Sequence, residues 1–311
     1  MNIENLIIEK LASGSCVSDV QHDLQIAVDN WHRISESTYK KYLANAKASH
    51  DSTTGIKTSL ETIAKIRSLN KKLNEYALSI PPYPTTEHDF NQINEIFDKD
   101  GFSEKLTQRI AKINITPYFR VRQELGMIQY FECFKPYLKI IQAASLNYYR
   151  QNYISCYLTL IPCIEGIIQR WNGASSINKK ANSQIIKNFF KKGFTRNPCP
   201  TNPIFYEIFT ETADQLLAEN FFQHNGKGTA FESFNRHIAS HMLDEPNYLT
   251  QNNCIRIFTL LDLMLEIYWY ENPSHNHRFY LEGNAVLQAS QPYLIAQCEA
   301  ILQTPENQIF K

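Results

Sequence analysis

Apolar residues recur along most of the chain at intervals of three and four, which is the spacing of helices that bury one face. One such stripe lies between residues 56 and 79 and consists of Leu60, Ile63, Ile66, Leu69 and Leu73. Strict two-residue alternation is scarce, and the 311 residues include only 10 glycines. The pattern therefore predicts an all-α fold, built as a helical bundle.

Two long apolar segments dominate the predicted bundle, at residues 121–147 and 148–171. We expect them to pack as antiparallel helices, with a kink or a break at the prolines inside them, Pro136 and Pro162. The other predicted helices cover residues 17–48, 56–79, 86–98, 103–113, 203–222, 249–270 and 284–302.

A chain of 311 residues can bury a sizeable core in one large or two modest domains. We expect an amino-terminal helical region at 1–120, whose role the sequence does not predict. The main helical domain is expected at 121–273, and a carboxy-terminal helical tail at 274–311 is expected to pack on its core.

The seven cysteines are scattered, with no CxxC pair. Disulfide scaffolds and zinc sites cluster their cysteines, so these are expected to be reduced thiols, most of them buried. The polar start of the sequence does not resemble a secretory signal, and the longest apolar stretches carry charged residues. We therefore expect a cytoplasmic protein without a membrane span.

Residues 234–242 carry the residue set with the clearest chemistry: Arg236 and His241 lie five positions apart, with Asn235 and His237 beside the arginine. On a helix this spacing separates two side chains by about 140° around the axis, so both can border one cleft without contact. A guanidinium binds phosphate through a planar fork of donors, and an imidazole can move protons near neutral pH. Such a set can cleave RNA without a metal.

Two alternatives stand beside that interpretation of the motif. Arginine and histidine near a helix start are often a solvated surface with a cap. His237 and His241 also have the four-residue spacing of two metal ligands, but no HExxH pattern or carboxylate pair accompanies them. We therefore predict neither a metal nor another cofactor.

Three stretches of the sequence share an order and spacing with a known family. They are residues 158–168 (LTLIPCIEGII), residues 235–241 (NRHIASH) and residues 248–262 (YLTQNNCIRIFTLLD). Together they make residues 148–271 resemble a HEPN domain, the helical family of RNases and RNA-binding modules found in toxin–antitoxin, abortive-infection and CRISPR-linked systems. One departure is Met242, which replaces a glycine that many relatives have after the motif histidine.

The resemblance implies roles for individual residues. His241 would act as general base or acid, and Arg236 would stabilise charge on the phosphate. Asn235 or His237 would hold the substrate or orient the catalytic pair. It also implies a homodimer in which two copies of the motif face one cleft, and the apolar content of residues 121–171 is compatible with a symmetric helical interface.

Glu165 lies inside an otherwise apolar helical segment. A buried carboxylate is costly unless it is paired, and Arg236 is its natural partner. The resemblance implies the same placement, since the early helix of these domains tends to carry an acidic residue that faces the motif. The alternative is a surface glutamate on an amphipathic helix.

The chain has 31 basic and 31 acidic residues, so binding of RNA would depend on a local patch. The best candidate is residues 178–196, where phenylalanines at 189, 190 and 194 interleave with lysines and an arginine. Cations bind phosphates and aromatic faces stack unpaired bases. The predicted RNA-binding residues are Lys187, Lys191, Lys192 and Arg196. The alternative is an amphipathic helix that buries its phenylalanines.

The sequence thus predicts a metal-independent endoribonuclease of HEPN type that cleaves tRNA or single-stranded RNA by 2'-hydroxyl attack, in prokaryotic defence or a toxin–antitoxin system. A non-catalytic HEPN scaffold that holds RNA or a nucleotide is one alternative. The other is an interaction protein, such as a toxin partner or a defence-system subunit, whose recognition depends on residues 1–120.

Overall fold

A computed structural model describes residues 48–50, 57–80, 85–174, 182–197, 200, 202–222, 234–241, 250–272, 281–302 and 309. Most of these residues are helical, which confirms the predicted all-α class. Most of the helix predicted at 17–48 lies outside the described residues. In the described part of the chain, no helix combines the length and the apolar character that crossing a membrane requires.

The helices are numbered in chain order. They are α1 Leu60–Asn74, α2 Glu87–Asp100, α3 Glu104–Asn114, α4 Pro117–Gln123, α5 Leu138–Tyr149, α6 Tyr153–Trp171, α7 Ser183–Lys187, α8 Gly193–Arg196, α9 Pro203–Asp214, α10 Arg236–His241, α11 Gln251–Glu271 and α12 Gly283–Ile301. Side chains of Thr86, Ser103 and Thr116 accept hydrogen bonds from backbone amides in the first turns of α2, α3 and α4. These caps fix where the three helices begin.

A short β-hairpin precedes α1. Its strands β1, Ala48–His50, and β2, Lys57–Ser59, pair antiparallel with Ala48 opposite Ser59. The helix predicted from residue 56 was therefore wrong over its first residues, since α1 begins only at Leu60. The apolar stripe also begins at Leu60, so the polar residues before it gain nothing from helical packing.

The helix predicted at 121–147 is two helices. α4 continues into a π-helical turn, Glu124–Ile128, and the chain resumes with a 3-10 turn, Lys135–Tyr137, before α5. The chain is not α-helical at Pro136, which confirms the predicted break. Proline has no amide to donate, and its ring would clash with the preceding turn of a continuous helix. Pro162, in contrast, lies inside α6 without ending it.

Helix α11 forms the centre of the core, with its residues from 253 to 270 all buried. It packs against α3, α6 and α9, while α12 covers α4 and α5. Helices α5 and α6 pack against each other. The hydrophobic core is continuous from Ile63 in α1 to Ala296 in α12. In α11 the polar residues Asn253, Arg256, Thr259, Asp262 and Glu266 are buried with the apolar ones, and buried polar groups of this kind require partners inside the protein.

One ion pair lies within that core. Both carboxylate oxygens of Asp262 in α11 accept from Nη2 of Arg120 in α4, each at 2.6 Å. Neither side chain is exposed to solvent by more than 2%. The guanidinium also lies over the rings of Phe119 and Phe258, at 4.8 and 5.2 Å. The pair thus ties α4 to the central helix.

Five cysteines lie within the described residues, and all five carry free thiols. Cys156, Cys163 and Cys254 are buried, whereas Cys298 is exposed. Burial raises the pKa of the Cys163 thiol to about 12. For these positions the expectation that most of the thiols are buried is confirmed.

Candidate functional site

The candidate site lies where the short helix α10 packs against α6. The residues before α10 are buried: Phe234 packs against the rings of Tyr157 and Phe221, with centroids 6.3 and 5.7 Å away. Asn235 accepts a hydrogen bond from the backbone amide of His237 at 2.8 Å, which caps the first turn. The buried Asn235 side chain therefore helps to position the motif helix.

Arg236 and Glu165 form an ion pair in which Nη1 donates to Oε1 at 2.6 Å. The pairing that the sequence predicted is confirmed. Their side chains are 17% and 23% exposed, so the pair lies at the edge of the core. Glu165 stands one residue before Gly166, where any Cβ would collide with the Tyr137 hydroxyl. The absence of a side chain at Gly166 thus allows the Tyr137 hydroxyl to approach this turn of α6 closely.

Further contacts hold the Arg236 guanidinium in place. Its Cζ lies 4.4 Å from the centre of the Phe222 ring, and its Nη2 lies 3.4 Å from Nε2 of His237. Since a guanidinium has only donors, this contact is a hydrogen bond in the tautomer of His237 whose Nε2 carries no proton. Nε of Arg236 is buried without a hydrogen-bond partner among the described residues. Two aromatic or heteroaromatic groups and one carboxylate therefore orient this cation.

His241 is the last residue of α10, five positions after Arg236. Its side chain lies outside the described residues, as do residues 242–249 with Met242. The backbone keeps both motif residues on one helix, as the spacing predicted. That the imidazole of His241 borders the same cleft as Arg236 stays a prediction.

Phe222 is a site residue that the sequence did not single out. It follows a π-helical turn, Gln215–Phe221, that continues α9. The wider turn ends with two adjacent aromatic residues, of which Phe221 packs inward against Phe234 and Phe222 lies on Arg236. The pair of phenylalanines is visible in the sequence, but no spacing connects it to the motif.

The predicted RNA-binding lysines lie on a separate stretch after α6. Lys191 and Lys192 are exposed, whereas Lys187 is half-buried in α7. Phe189 and Phe190 are buried, with their ring centroids 5.1 and 5.9 Å from that of Trp171. These two rings are therefore core residues and do not face solvent for base stacking. For them the amphipathic alternative is confirmed, while the side chain at 194 lies outside the described residues.

The Arg196 guanidinium forms hydrogen bonds within the protein and is mostly shielded from solvent. Its Nη2 donates to Oε1 of Glu271 at 2.5 Å, and its Nη1 donates to the Phe189 carbonyl at 2.7 Å. The same Glu271 oxygen accepts from the Tyr206 hydroxyl at 2.6 Å. Because Glu271 is nearly buried and already supplies the counter-charge, Arg196 is committed to this contact.

The lysine stretch and the motif are connected through α6. Glu165 and Trp171 are six residues apart on this helix, a separation of about 9 Å along its axis. Asn172, the residue after α6, lines a pocket of about 400 Å³ together with Asn188 and Lys192. The amides and the lysine give this pocket polar groups that can bind an anion or a nucleobase edge.

Comparisons with known proteins add no assignment: no protein-family model, no curated protein and no solved structure matches the chain. Among the described residues, no three His, Cys, Asp or Glu side chains lie close enough together to hold a metal ion. The geometry around Arg236 and the resemblance of the three sequence stretches are therefore the basis of the functional argument.

Proposed function

We propose that the chain is a metal-independent endoribonuclease of HEPN type, acting in prokaryotic defence or in a toxin–antitoxin system. The observation that carries the proposal is the Arg236 guanidinium at the start of the motif helix, oriented by Glu165 and Phe222. A guanidinium held in this way can bind a phosphate without losing further conformational freedom. Such a preorganised cation stabilises the negative charge that develops on the phosphate during the reaction.

The proposed reaction is attack of a 2'-hydroxyl on the adjacent phosphorus. The bond from the 2'-oxygen to phosphorus forms as the bond to the 5'-oxygen breaks, leaving a 2',3'-cyclic phosphate and a 5'-hydroxyl. His241 takes the proton from the 2'-hydroxyl or gives one to the departing 5'-oxygen. Arg236 binds the phosphate oxygens. Each of its Nη atoms has two N–H donors, so donors remain beside the contacts with Glu165 and His237.

The reaction needs both a base and an acid, and one motif has few candidates for the two roles. His237 is one, since it lies directly beside the guanidinium. A second copy of the chain is the other, and we propose a homodimer in which two motifs share a cleft. An antitoxin or a defence-system partner would regulate this assembly. Within this proposal Asn235 keeps the motif helix in place from beneath.

For substrate binding we propose that Lys187, Lys191 and Lys192 contact phosphates of tRNA or single-stranded RNA. Lys191 and Lys192 are exposed and lie beyond the end of the helix that carries Glu165. Arg196 is omitted from this set because Glu271 already holds it. Phosphate contacts of this kind position a strand without reading its sequence.

The test is incubation of the purified protein with labelled tRNA and total RNA in EDTA. We expect wild type to cleave, with cyclic-phosphate ends, and Arg236→Ala and His241→Ala to lose at least about 10²-fold in rate. The matched control is His88→Ala, which removes an exposed histidine from α2 and should leave the rate unchanged. Circular dichroism of each variant separates lost chemistry from lost folding. Equal cleavage by wild type and both motif variants would refute the catalytic role.

The second candidate is a scaffold that holds RNA or a nucleotide without cleaving it. The exposed lysines and the amide-lined pocket favour it, because neither requires a proton-transfer group. It predicts a gel shift with intact RNA and no cleavage under any condition. In that case Lys191→Glu with Lys192→Glu should abolish the shift, whereas His241→Ala should not.

A further inference from the structure

A second polar centre lies in a pocket between α4, α5 and α12, helices that do not carry the motif. The pocket has a volume of about 310 Å³. Six of its lining residues are apolar, namely Val121, Leu125, Ala143, Leu146, Ala289 and Pro292. The remaining three are Glu124, Gln142 and Tyr293. It is therefore an apolar cleft with a few convergent polar groups, the usual composition of a small-molecule site.

Glu124 is the carboxyl among the lining residues, and it is only 3% exposed. The Tyr293 hydroxyl donates to both of its oxygens, at 2.7 and 2.8 Å, and Gln142 donates through Nε2 at 3.3 Å. The carboxyl begins the π-helical turn Glu124–Ile128, and such turns frequently mark functional sites. Two neighbouring helices thus orient the carboxyl.

The carboxyl has no ion-pair partner in the part of the chain that the structure describes. No nitrogen of a described lysine, arginine or histidine forms an ion pair with Glu124. The nearest guanidinium that influences it belongs to Arg120, and that group is bound to Asp262. Burial consequently raises the pKa of Glu124 to about 7, against the opposing effect of the hydrogen bonds from Tyr293 and Gln142. A carboxylate in apolar surroundings is unfavourable until a cation pairs with it.

We propose that this pocket binds a small organic cation, an amine with an apolar body, whose ammonium group pairs with the Glu124 carboxylate. Three hydrogen bonds leave lone pairs on the two oxygens for an ammonium donor. Besides the carboxylate, only the side chains of Gln142 and Tyr293 bring oxygen atoms to the lining, too few for the six to eight oxygen ligands that Ca²⁺ takes. An anionic ligand would meet the carboxylate directly and is excluded by charge.

The mouth of the pocket determines the size of the ligand. Ala143 and Ala289 are both exposed and line the opening, where larger side chains would close it. A volume of about 310 Å³ is at the lower end for small-molecule sites. The space therefore suits a single ring or a short alkyl chain beside the ammonium group. Tyr293 is part of the lining, and its hydroxyl holds the carboxyl to which the ammonium group would bind.

The test uses 2-phenylethylamine as the probe and the full-length protein at pH 8, with isothermal titration calorimetry as the readout. We expect a Kd of roughly 1 mM or tighter. The matched ligand is 2-phenylethanol, which has the same body and no charge, and we expect it to bind at least tenfold more weakly. Equal binding of amine and alcohol would overturn the proposal, as would no binding of the amine.

Two variants locate the site. Glu124→Gln keeps the shape and an acceptor for Tyr293, and should weaken amine binding at least tenfold. Ala289→Phe fills the mouth without touching the carboxyl, and should abolish binding even where Glu124→Gln fails to fold. Its control is Gln288→Phe, an exposed neighbour on α12 that does not line the pocket. Unchanged binding in Ala289→Phe or in folded Glu124→Gln would refute the site. None of these readouts depends on RNA cleavage.

Discussion

Two arginine–carboxylate pairs in this molecule share their chemistry and differ in burial. Arg120 with Asp262 and Arg236 with Glu165 each have a shortest contact of 2.6 Å. The first pair is 2% and 0% exposed, and the second is 17% and 23% exposed. The core guanidinium contacts both oxygens of its partner, whereas the guanidinium at the motif contacts one.

The difference teaches that burial decides what an ion pair can do. In the core no other ligand can reach either group, so each charge depends on the other for its compensation. At the edge of the core, water and a bound phosphate can replace part of the pair. The Arg236 contact is therefore suited to exchange during binding, whereas the Arg120 contact holds α4 on α11.

The largest expected effect comes from breaking the core pair. Arg120→Ala leaves Asp262 buried without its partner, and should lower the free energy of unfolding by about 3–5 kcal/mol. Urea denaturation followed by circular dichroism measures the loss. The double variant Arg120→Met with Asp262→Leu has no unpaired charge, and it should recover most of the lost free energy of unfolding. A loss below about 1 kcal/mol in the single variant would mean that solvent reaches Asp262.

A second prediction uses the carboxyl that has no counter-ion. The pKa of Glu124 is about 7 in the folded protein and 4.5 when unperturbed. Between these values the folded protein keeps a proton that the unfolded chain has released, so stability falls as pH rises from 4.5 to 7. The full contribution lost is about 3 kcal/mol. The charged and titratable groups around Glu124 are Arg120, Tyr149, Tyr293 and, behind the arginine, Asp262.

The measurement is the melting temperature of wild type and Glu124→Gln at intervals from pH 5 to pH 8. The melting temperature of the variant should fall less over this range. At pH 8 the variant should be the more stable protein, because it never acquires the buried charge. Burial also raises the pKa of Asp262, to about 6, but both proteins share that contribution. Parallel curves for the two proteins would show that Glu124 is not the group responsible.

The smallest expected effect on stability belongs to the motif pair. Glu165→Gln should change the free energy of unfolding by about 1 kcal/mol or less, since solvent reaches both partners. A double-mutant cycle with Arg236→Ala measures the coupling. If the proposed function holds, the same Glu165→Gln protein should lose far more activity than stability. A coupling of about 3 kcal/mol would show that this pair contributes as much as a buried pair does, which would contradict the proposed difference between the two pairs.

The sequence predicted the helices that carry a long apolar stripe, as α1 does from Leu60 to Leu73, and it predicted the break at Pro136 from the missing amide. It missed the β-hairpin, because strands of three residues are too short to display alternation. It also missed the π-helical turn at Glu124–Ile128, because such a turn changes the hydrogen-bond register without a distinct composition. The domain boundaries at 120 and 273 stay predictions.

For the site, the sequence predicted that Glu165 pairs with Arg236, because a carboxylate within an apolar helix requires a partner. It assigned Arg196 to phosphate binding. The carboxylate that accepts its hydrogen bond belongs to Glu271, 75 residues away in the chain, and no local pattern indicates that contact. Phe222 escaped notice for the same reason, as its contact with Arg236 is tertiary. Local patterns identify which groups need compensation, and only the fold determines which group supplies it.

The core pair also sets an order of events during synthesis. Asp262 follows Arg120 by 142 residues, so at typical bacterial and eukaryotic rates the ribosome needs roughly 7 to 28 s to deliver it. Through that interval α4, a helix of seven residues, has no central helix to pack against, and helices this short are not stable alone in water. The nascent chain therefore has to extend to Asp262 before α4 can dock on the central helix, and until then the apolar face of α4 is exposed to the kind of contacts that chaperones prevent.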